Sequence, residues 1–502
     1  MTSTILGFQP REGLTTNLIT AVALICLGSL QFGYHMAELN APESIISCRE
    51  SKPGHISYDD SWFGRHGFEK CIPLTTEQLG LVTSIFSIGG LIGSFYVGSI
   101  ADRIGRKKTS LLHNALYFIG SGINGLNNGH YTFLLGRFIA GLGAGSAIVL
   151  TSLMINEISP PQLKGLLGSM NQVSINVGIL VTQLLSLIWT NDNSWRLLLL
   201  TASAIGFVNF VLIFLFVEES PFWLANNGYR TKAIEVLYHL RGGDYNSAKN
   251  EVLSWTKHGQ LADSGPGLSD HGSLLEDESE DEPRPQQAAT SVNLETYLKS
   301  SEYNKSKLVA TGILVFQQFD GINSIIFYGV SVLVSIFPNS AIIINCLIST
   351  VNLVVTFASA TLVDRLGRKP LLLTSVTFLG ILTALMGFGI ILTSSILSIV
   401  GTFTYITFFA IGLGPIPFLL VGEVTQPKAK ALAQSWGTTM NWLATFIVGY
   451  SFPILKNSWI GGGVYFIFTF MCALSYWFIS SQIPETKGRD TYEEVWGLPR
   501  IE

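Results

Sequence analysis

Apolar residues gather along this chain into runs of roughly 20, each long enough to cross a hydrocarbon core at about 1.5 Å per residue. Such runs fall at about 17–38, 78–101, 109–127, 131–153, 168–189 and 196–217. After a long polar interval they resume at about 308–335, 341–363, 370–393, 395–421, 433–453 and 462–483. The pattern predicts an all-α membrane protein with twelve transmembrane helices. Composition agrees: the 502 residues are 48% hydrophobic and only 13% charged, with mean hydropathy +0.41. Charged residues make up about a quarter of ordinary soluble chains, so the membrane is this chain's solvent.

The pattern repeats. The glycine-spaced run from Gly89 ends in Asp102-Arg103-Ile104-Gly105-Arg106, and the run from Val351 ends in Asp364-Arg365-Leu366-Gly367-Arg368. Glu157 and Lys164 follow the first copy, Glu423 and Lys430 the second, seven positions apart in each. Two charged signatures in one order, half a chain apart, predict a duplicated bundle. The expected organisation is a six-helix half over 1–217, a central loop over 218–307, a second six-helix half over 308–483 and a tail over 484–502.

Charge sets the orientation. The net charge is −4, but the useful quantity is where Lys and Arg fall. Arg103, Arg106, Lys107, Lys108, Lys164, Arg365, Arg368, Lys369, Lys428, Lys430, Lys487 and Arg489 would share the side of the termini. The short loops opposite carry few, chiefly Arg196 and Lys456, and the longer 39–77 loop is the exception. The positive-inside rule therefore makes both termini and the central loop cytosolic. No cleavable leader is expected in the first fifteen residues, which are polar.

Within the central loop, Ala233, Val236, Leu237 and Leu240 have helical spacing over 230–255. The stretch 262–291 is rich in Gly, Pro, Ser and acid, and its composition predicts disorder. Asp270-His271-Gly272-Ser273-Leu274-Leu275 lies inside it and is similar to an acidic dileucine signal, which would engage a sorting adaptor. Cys48 and Cys71 share one loop and either pair or remain free thiols. No nucleophile elbow, metal-ligand spacing or phosphate-binding loop is present, so the sequence suggests neither an enzyme, nor an ATP-driven pump, nor a cofactor, metal or nucleic-acid partner.

Along nearly its whole length the chain resembles the sugar porter family of the major facilitator superfamily. The resemblance rests on Gly28-Ser29-Leu30-Gln31-Phe32-Gly33-Tyr34, the two Asp-Arg-x-Gly-Arg turns, Gly136-Arg137-Phe138 and Glu219-Ser220-Pro221. In the second half it rests on Gln317-Gln318-Phe319-Asp320-Gly321-Ile322-Asn323, Gly414-Pro415-Ile416-Pro417, Asn441-Trp442 and Pro484-Glu485-Thr486-Lys487-Gly488-Arg489. It implies alternating access by two halves around a sugar site near the bilayer midplane, and some features resemble fungal intracellular members. The implied function is secondary transport of a monosaccharide such as glucose, facilitated or proton-coupled. The vacuolar membrane is favoured over the plasma membrane. A sugar sensor that binds without carrying is the second reading; it would have to signal through the acidic insert, because the tail after Ile483 is short.

The residues give the candidate chemistry. Sugar hydroxyls donate and accept, and neutral amides do both without the desolvation cost of a charge. Gln172, Gln317, Gln318, Asn323, Asn352 and Asn441 sit in apolar spans and are the candidate sugar ligands, with Phe418 as a stacking platform. Gly321 and Gly414-Pro415-Ile416-Pro417 should break their helices and let side chains reach one cavity. His35 and Arg137, at similar depth, and the intramembrane Asp320 are the candidates for proton coupling. Asp102, Arg103, Arg106, Glu157, Lys164 and Glu219, with Asp364, Arg365, Arg368, Glu423 and Lys430, would form a charged gate at the cytosolic ends.

Overall fold

The computed structural model describes residues 14–54, 56–160, 163–263, 294–334, 337, 340–426, 429–489 and 492–498. The acidic stretch and the dileucine-like segment lie largely outside these residues, as does the side chain of Asp364. The first half holds α1 (Thr16–Ala37), α2 (Thr76–Ile104), α3 (Arg106–Gly125), α4 (His130–Ile158), α5 (Lys164–Trp189) and α6 (Trp195–Phe216). The second holds α7 (Asn304–Phe319, then Ile322–Ile326 and Gly329–Val334), α8 (Ala341–Leu366) and α9 (Arg368–Ile391). It continues with α10 (Ser395–Ile411 and Ile416–Glu423), α11 (Lys430–Lys456) and α12 (Val464–Gln482).

Among the described residues, nine helices are long and apolar enough to cross a membrane. The exceptions have local causes. α3 opens on three cations and buries His113, Asn114 and Asn124, α7 is broken, and α11 carries a string of hydroxyl and amide side chains.

The pairing of helices repeats with the sequence. α1 packs on α5, α2 on α4 and α3 on both α4 and α6; correspondingly α7 packs on α11, α8 on α10 and α9 on both α10 and α12. The halves meet where α2 lies along α11 and α5 along α8, contacts that the same repeat interchanges. Small residues allow the closest approaches: a Cβ at Gly93 would sit 2.2 Å from the Leu142 carbonyl oxygen, and one at Gly145 would sit 1.9 Å from that of Gly90. In lipid, where apolar burial between helices is not driven by water, such contact is the main source of association.

Both expected breaks occur. Gly321 takes φ of 105°, a left-handed value that a β-carbon disfavours, and α7 stops and restarts there. α10 breaks at 412–415, with Pro415 as the N-cap of the second segment and Pro417 in its first turn. Helices Pro221–Asn226, Arg230–Leu240 and Tyr245–Asp263 form a small apolar cluster of their own beside the first half. They are tied to it by Arg241, which donates to the Ile158 carbonyl at 2.9 Å, and by Thr15, which donates to that of Leu240 at 2.8 Å. Cys48 and Cys71 form a disulfide in the loop between α1 and α2.

Candidate functional site

Two groups of amides lie within the helices of the structure, one where α5 meets α8 and one at the α7 break. On α5, Gln172 donates to the Asn176 side-chain oxygen at 3.4 Å, and Asn176 donates across the halves to Thr356 of α8 at 2.8 Å. Asn352 completes this bridge, exchanging longer contacts of 3.3 and 3.4 Å with Asn176. At the α7 break, Asn323 donates to the Gln318 oxygen at 2.7 Å, while its own oxygen is buried without a partner. An ideal helix would hold side chains five apart on different faces; the left-handed Gly321 brings Gln318 and Asn323 together.

Adjacent Gln317 does different work. It donates to the carbonyls of Leu413 and Gly414 at 2.7 and 3.1 Å, oxygens that the α10 break deprives of helical partners. Asn441 reinforces it, donating to the Leu314 carbonyl at 2.7 Å and to the Gln317 oxygen at 3.0 Å. These two amides hold broken helices, whereas Gln172, Gln318, Asn323 and Asn352 remain open to exchange their weaker or unfilled bonds. Phe418 packs against an aromatic cluster in which Trp442 stands edge-on to Phe32 and Phe86, at ring separations of 5.4 and 5.7 Å. The Trp442 indole N–H is buried and unpartnered. Gly90 makes room for that ring, since a Cβ there would lie 2.5 Å from it.

His35 and Arg137, expected at similar depth, both reach Glu38. The Arg137 guanidinium reaches Glu38 at 2.5 Å and donates to the His35 backbone carbonyl at 3.2 Å, lying over the Phe86 ring at 4.5 Å. The His35 ring sits instead between Glu38 at 3.0 Å and the Ser121 hydroxyl at 3.2 Å. Glu38 ends the first apolar run, where an acid reads as a boundary with water, so sequence reasoning passed over it. Here it is wholly buried. Asp320 is also wholly buried, and its carboxyl lies against the side chains of Ser475 and Cys472 of α12.

At the face of the bundle where α1 begins, each half repeats one charged device. Arg106 pairs with Glu157 at 2.8 Å and Asp102 at 3.0 Å, and Arg368 pairs with Glu423 at 2.9 Å. Ser220 and Thr486 donate to the second oxygens of Glu157 and Glu423. Glu219 caps the backbone of Arg106 and Lys107, and Glu485 caps that of Arg368 and Lys369. Gly105 and Gly367 make these turns at φ of 95° and 94°. Burial would raise the Glu485 carboxyl, but the amides of Lys487, Arg368, Lys369 and Thr486 hold it below its ordinary range. The described ion pairs at this face lie within a half, not between halves, so they brace each half rather than lock the two together. Arg103, Lys164, Arg365 and Lys430 are exposed, and Lys164 and Lys430 are near enough to repel.

Residues 21–496 match the family described as sugar (and other) transporter. The chain belongs to the sugar porter family of the major facilitator superfamily. A probable metabolite transport protein of Saccharomyces cerevisiae is 45% identical to this transporter over 96% of each chain. Vacuolar protein sorting-associated protein 73 of the same yeast is 38% identical, covering 95% of this chain and 96% of its own. The solute carrier family 2 facilitated glucose transporter member 1 of Gallus gallus is 32% identical, covering 96% and 93%. The structure of the proton:xylose symporter XylE bound to 6-bromo-6-deoxy-D-glucose shares the fold, with TM-score 0.74 and 23% identity over 96% of this chain and 99% of that one. A family of transporters also accounts for the absence of enzyme motifs in the sequence.

Proposed function

We propose that this transporter is a twelve-span secondary carrier with cytosolic termini that moves a monosaccharide, a hexose such as glucose, by alternating access between its halves. The observation that carries the reading is the two groups of amides within the helices, Gln172, Asn176 and Asn352 where α5 meets α8 and Gln318 with Asn323 at the α7 break, contributed by both halves. The Asn323 oxygen lacks a donor and the Trp442 N–H lacks an acceptor. A sugar hydroxyl, which is both, supplies either need. The glucose-transporter relative supports this substrate class. α3, α7 and α11 join the nine more apolar helices as spans because each is packed between helices that are themselves apolar enough to cross.

A proton-linked cycle is favoured over simple facilitation by the buried Glu38, which has both a cation and an imidazole within reach, as a proton-exchanging carboxylate requires. The vacuolar membrane is the favoured location, supported by the sorting-associated relative. Purified protein in liposomes tests the whole reading: labelled glucose should exchange across the bilayer, and an imposed pH gradient should drive accumulation above equilibrium. Failure of every hexose to exchange would overturn it.

A further inference from the structure

On the face opposite the termini, a cavity of about 90 Å³ lies between the halves. The first half contributes Glu43, Arg49 and the start of α2; the second contributes Tyr328 and Ser331 of α7 and the end of α11 with Lys456. Glu43 is part-buried, and its Oε2 is sealed from solvent with no hydrogen-bond partner. No ion pair within 4.0 Å joins it to a cation among the described residues. The charged groups facing it are Arg49, which is exposed and donates to Thr76 at 3.0 Å, and Lys456, which donates to the Ser331 carbonyl at 3.3 Å. The Tyr328 hydroxyl is engaged by the Gly449 carbonyl at 2.7 Å, and the α2 wall carries no titratable group.

We propose that Glu43 is a proton-binding site governing this face: with the proton on, the halves close over the carboxyl, and loss of the proton opens them. The physical cause is desolvation. Closing the gap strips water from an oxygen that finds no donor in exchange, which is tolerable for a neutral carboxyl and costly for a carboxylate. Burial accordingly pushes Glu43 up to about 7, against the opposing pull of Arg49 and Lys456. In an open face the same group returns to water and to about 4.3. The closed face therefore holds the proton more tightly, so acid on this side favours closure and the preference is lost as pH rises through about 7. This goes beyond sugar carriage; it rests on alternating access but not on which solute is carried.

The test uses the full chain in liposomes, spin-labelled at Glu77→Cys and Ser458→Cys, exposed positions on opposite halves at this face. Each pH unit between the two values changes the open-to-closed ratio by up to about tenfold; with partial water access, a rise of roughly three- to tenfold is expected from pH 6 to pH 8. Glu43→Gln should stay closed at both values. Lys456→Gln, by removing a cation that opposes protonation, should move the midpoint to higher pH. A wild-type distance distribution indifferent to pH, an unchanged pH response in Glu43→Gln, or a Lys456→Gln midpoint that stays or falls would each overturn the proposal. The wild-type titration decides it even where a variant fails to fold.

Discussion

Replacing Glu38 by Gln removes the anion from a pair whose side chains are both about 1% exposed. Arg137 would keep its contact with the His35 carbonyl at 3.2 Å and the Phe86 ring at 4.5 Å, neither of which carries a full negative charge. Breaking a buried pair on one side typically costs about 3–5 kcal/mol, because the remaining charge stays buried without compensation. At roughly 2 °C per kcal/mol for a large domain, Glu38→Gln should melt about 6–10 °C below the wild type in detergent, followed by intrinsic fluorescence. Glu38→Gln with Arg137→Met removes both charges and should recover more than half of that loss, whereas Arg137→Met alone should not. In liposomes, Glu38→Gln should keep exchange but lose accumulation driven by a pH gradient. Additive melting temperatures in the double mutant would refute the pairing, and intact accumulation in Glu38→Gln would refute its part in coupling.

Gln318→Ala and Asn323→Ala should each weaken glucose binding by roughly 3- to 10-fold, the worth of one neutral hydrogen bond, with wild-type affinity in both counting against the site. Gly90→Val forces a side chain into the Trp442 ring, 2.5 Å from an ideal Cβ, and should abolish exchange while Gly98→Val, where that space is open, leaves it intact. Removing the disulfide by Cys48→Ser releases a loop with a sequence separation of 23 and should lower stability by about 3 kcal/mol, read as a lower melting temperature. Burial would raise Asp192, but hydrogen bonds from Lys70, Ser51 and the Lys52 amide hold it below its ordinary range. Its tie to that loop is therefore complete above about pH 4 and lost only as pH falls through the depressed value, so limited proteolysis of the loop should be as slow at pH 5 as at pH 7 and faster near pH 2.

The repeated turns were legible because their chemistry is local: Gly105 and Gly367 sit beside the charges they position. Their carboxylate caps were half legible. Glu219 was a candidate, but Glu485 entered only as part of a family motif, since nothing in the linear order says that a residue after α12 reaches the start of α9. Gln317 and Gln318 read alike because they are neighbours, yet about 100° of helical turn sends one to the α10 break and the other to Asn323. Asn176 and Trp442 were passed over for a related reason, as their significance lies in what crosses from the other half. Glu38 illustrates the hardest case: an acid after an apolar run marks a membrane boundary unless another helix brings an arginine to it.

The duplicated halves have diverged in one respect and not in another. At the termini face the copies match group for group, from Gly105 and Gly367 to Ser220 and Thr486, because both must fix the same tight turn. Away from that face they part. α1 and α4 are continuous and hold the buried cluster of His35, Glu38 and Arg137 with its ion pair, while their counterparts α7 and α10 are broken and are held by the neutral amides Gln317 and Asn441. A buried charge tolerates little backbone movement, since each displacement exposes an uncompensated ion. A broken helix bridged by neutral hydrogen bonds can exchange partners at a cost of only about 1 kcal/mol each. Under the proposed proton-linked cycle, protonation would fall to the stiff half and sugar-linked bending to the pliant one. That division requires Gly321→Ala, strained at a φ of 105°, to impair sugar-dependent steps while leaving the Glu38–Arg137 coupling energy unchanged. A fall in that coupling energy would show that the two tasks are not separated between the halves.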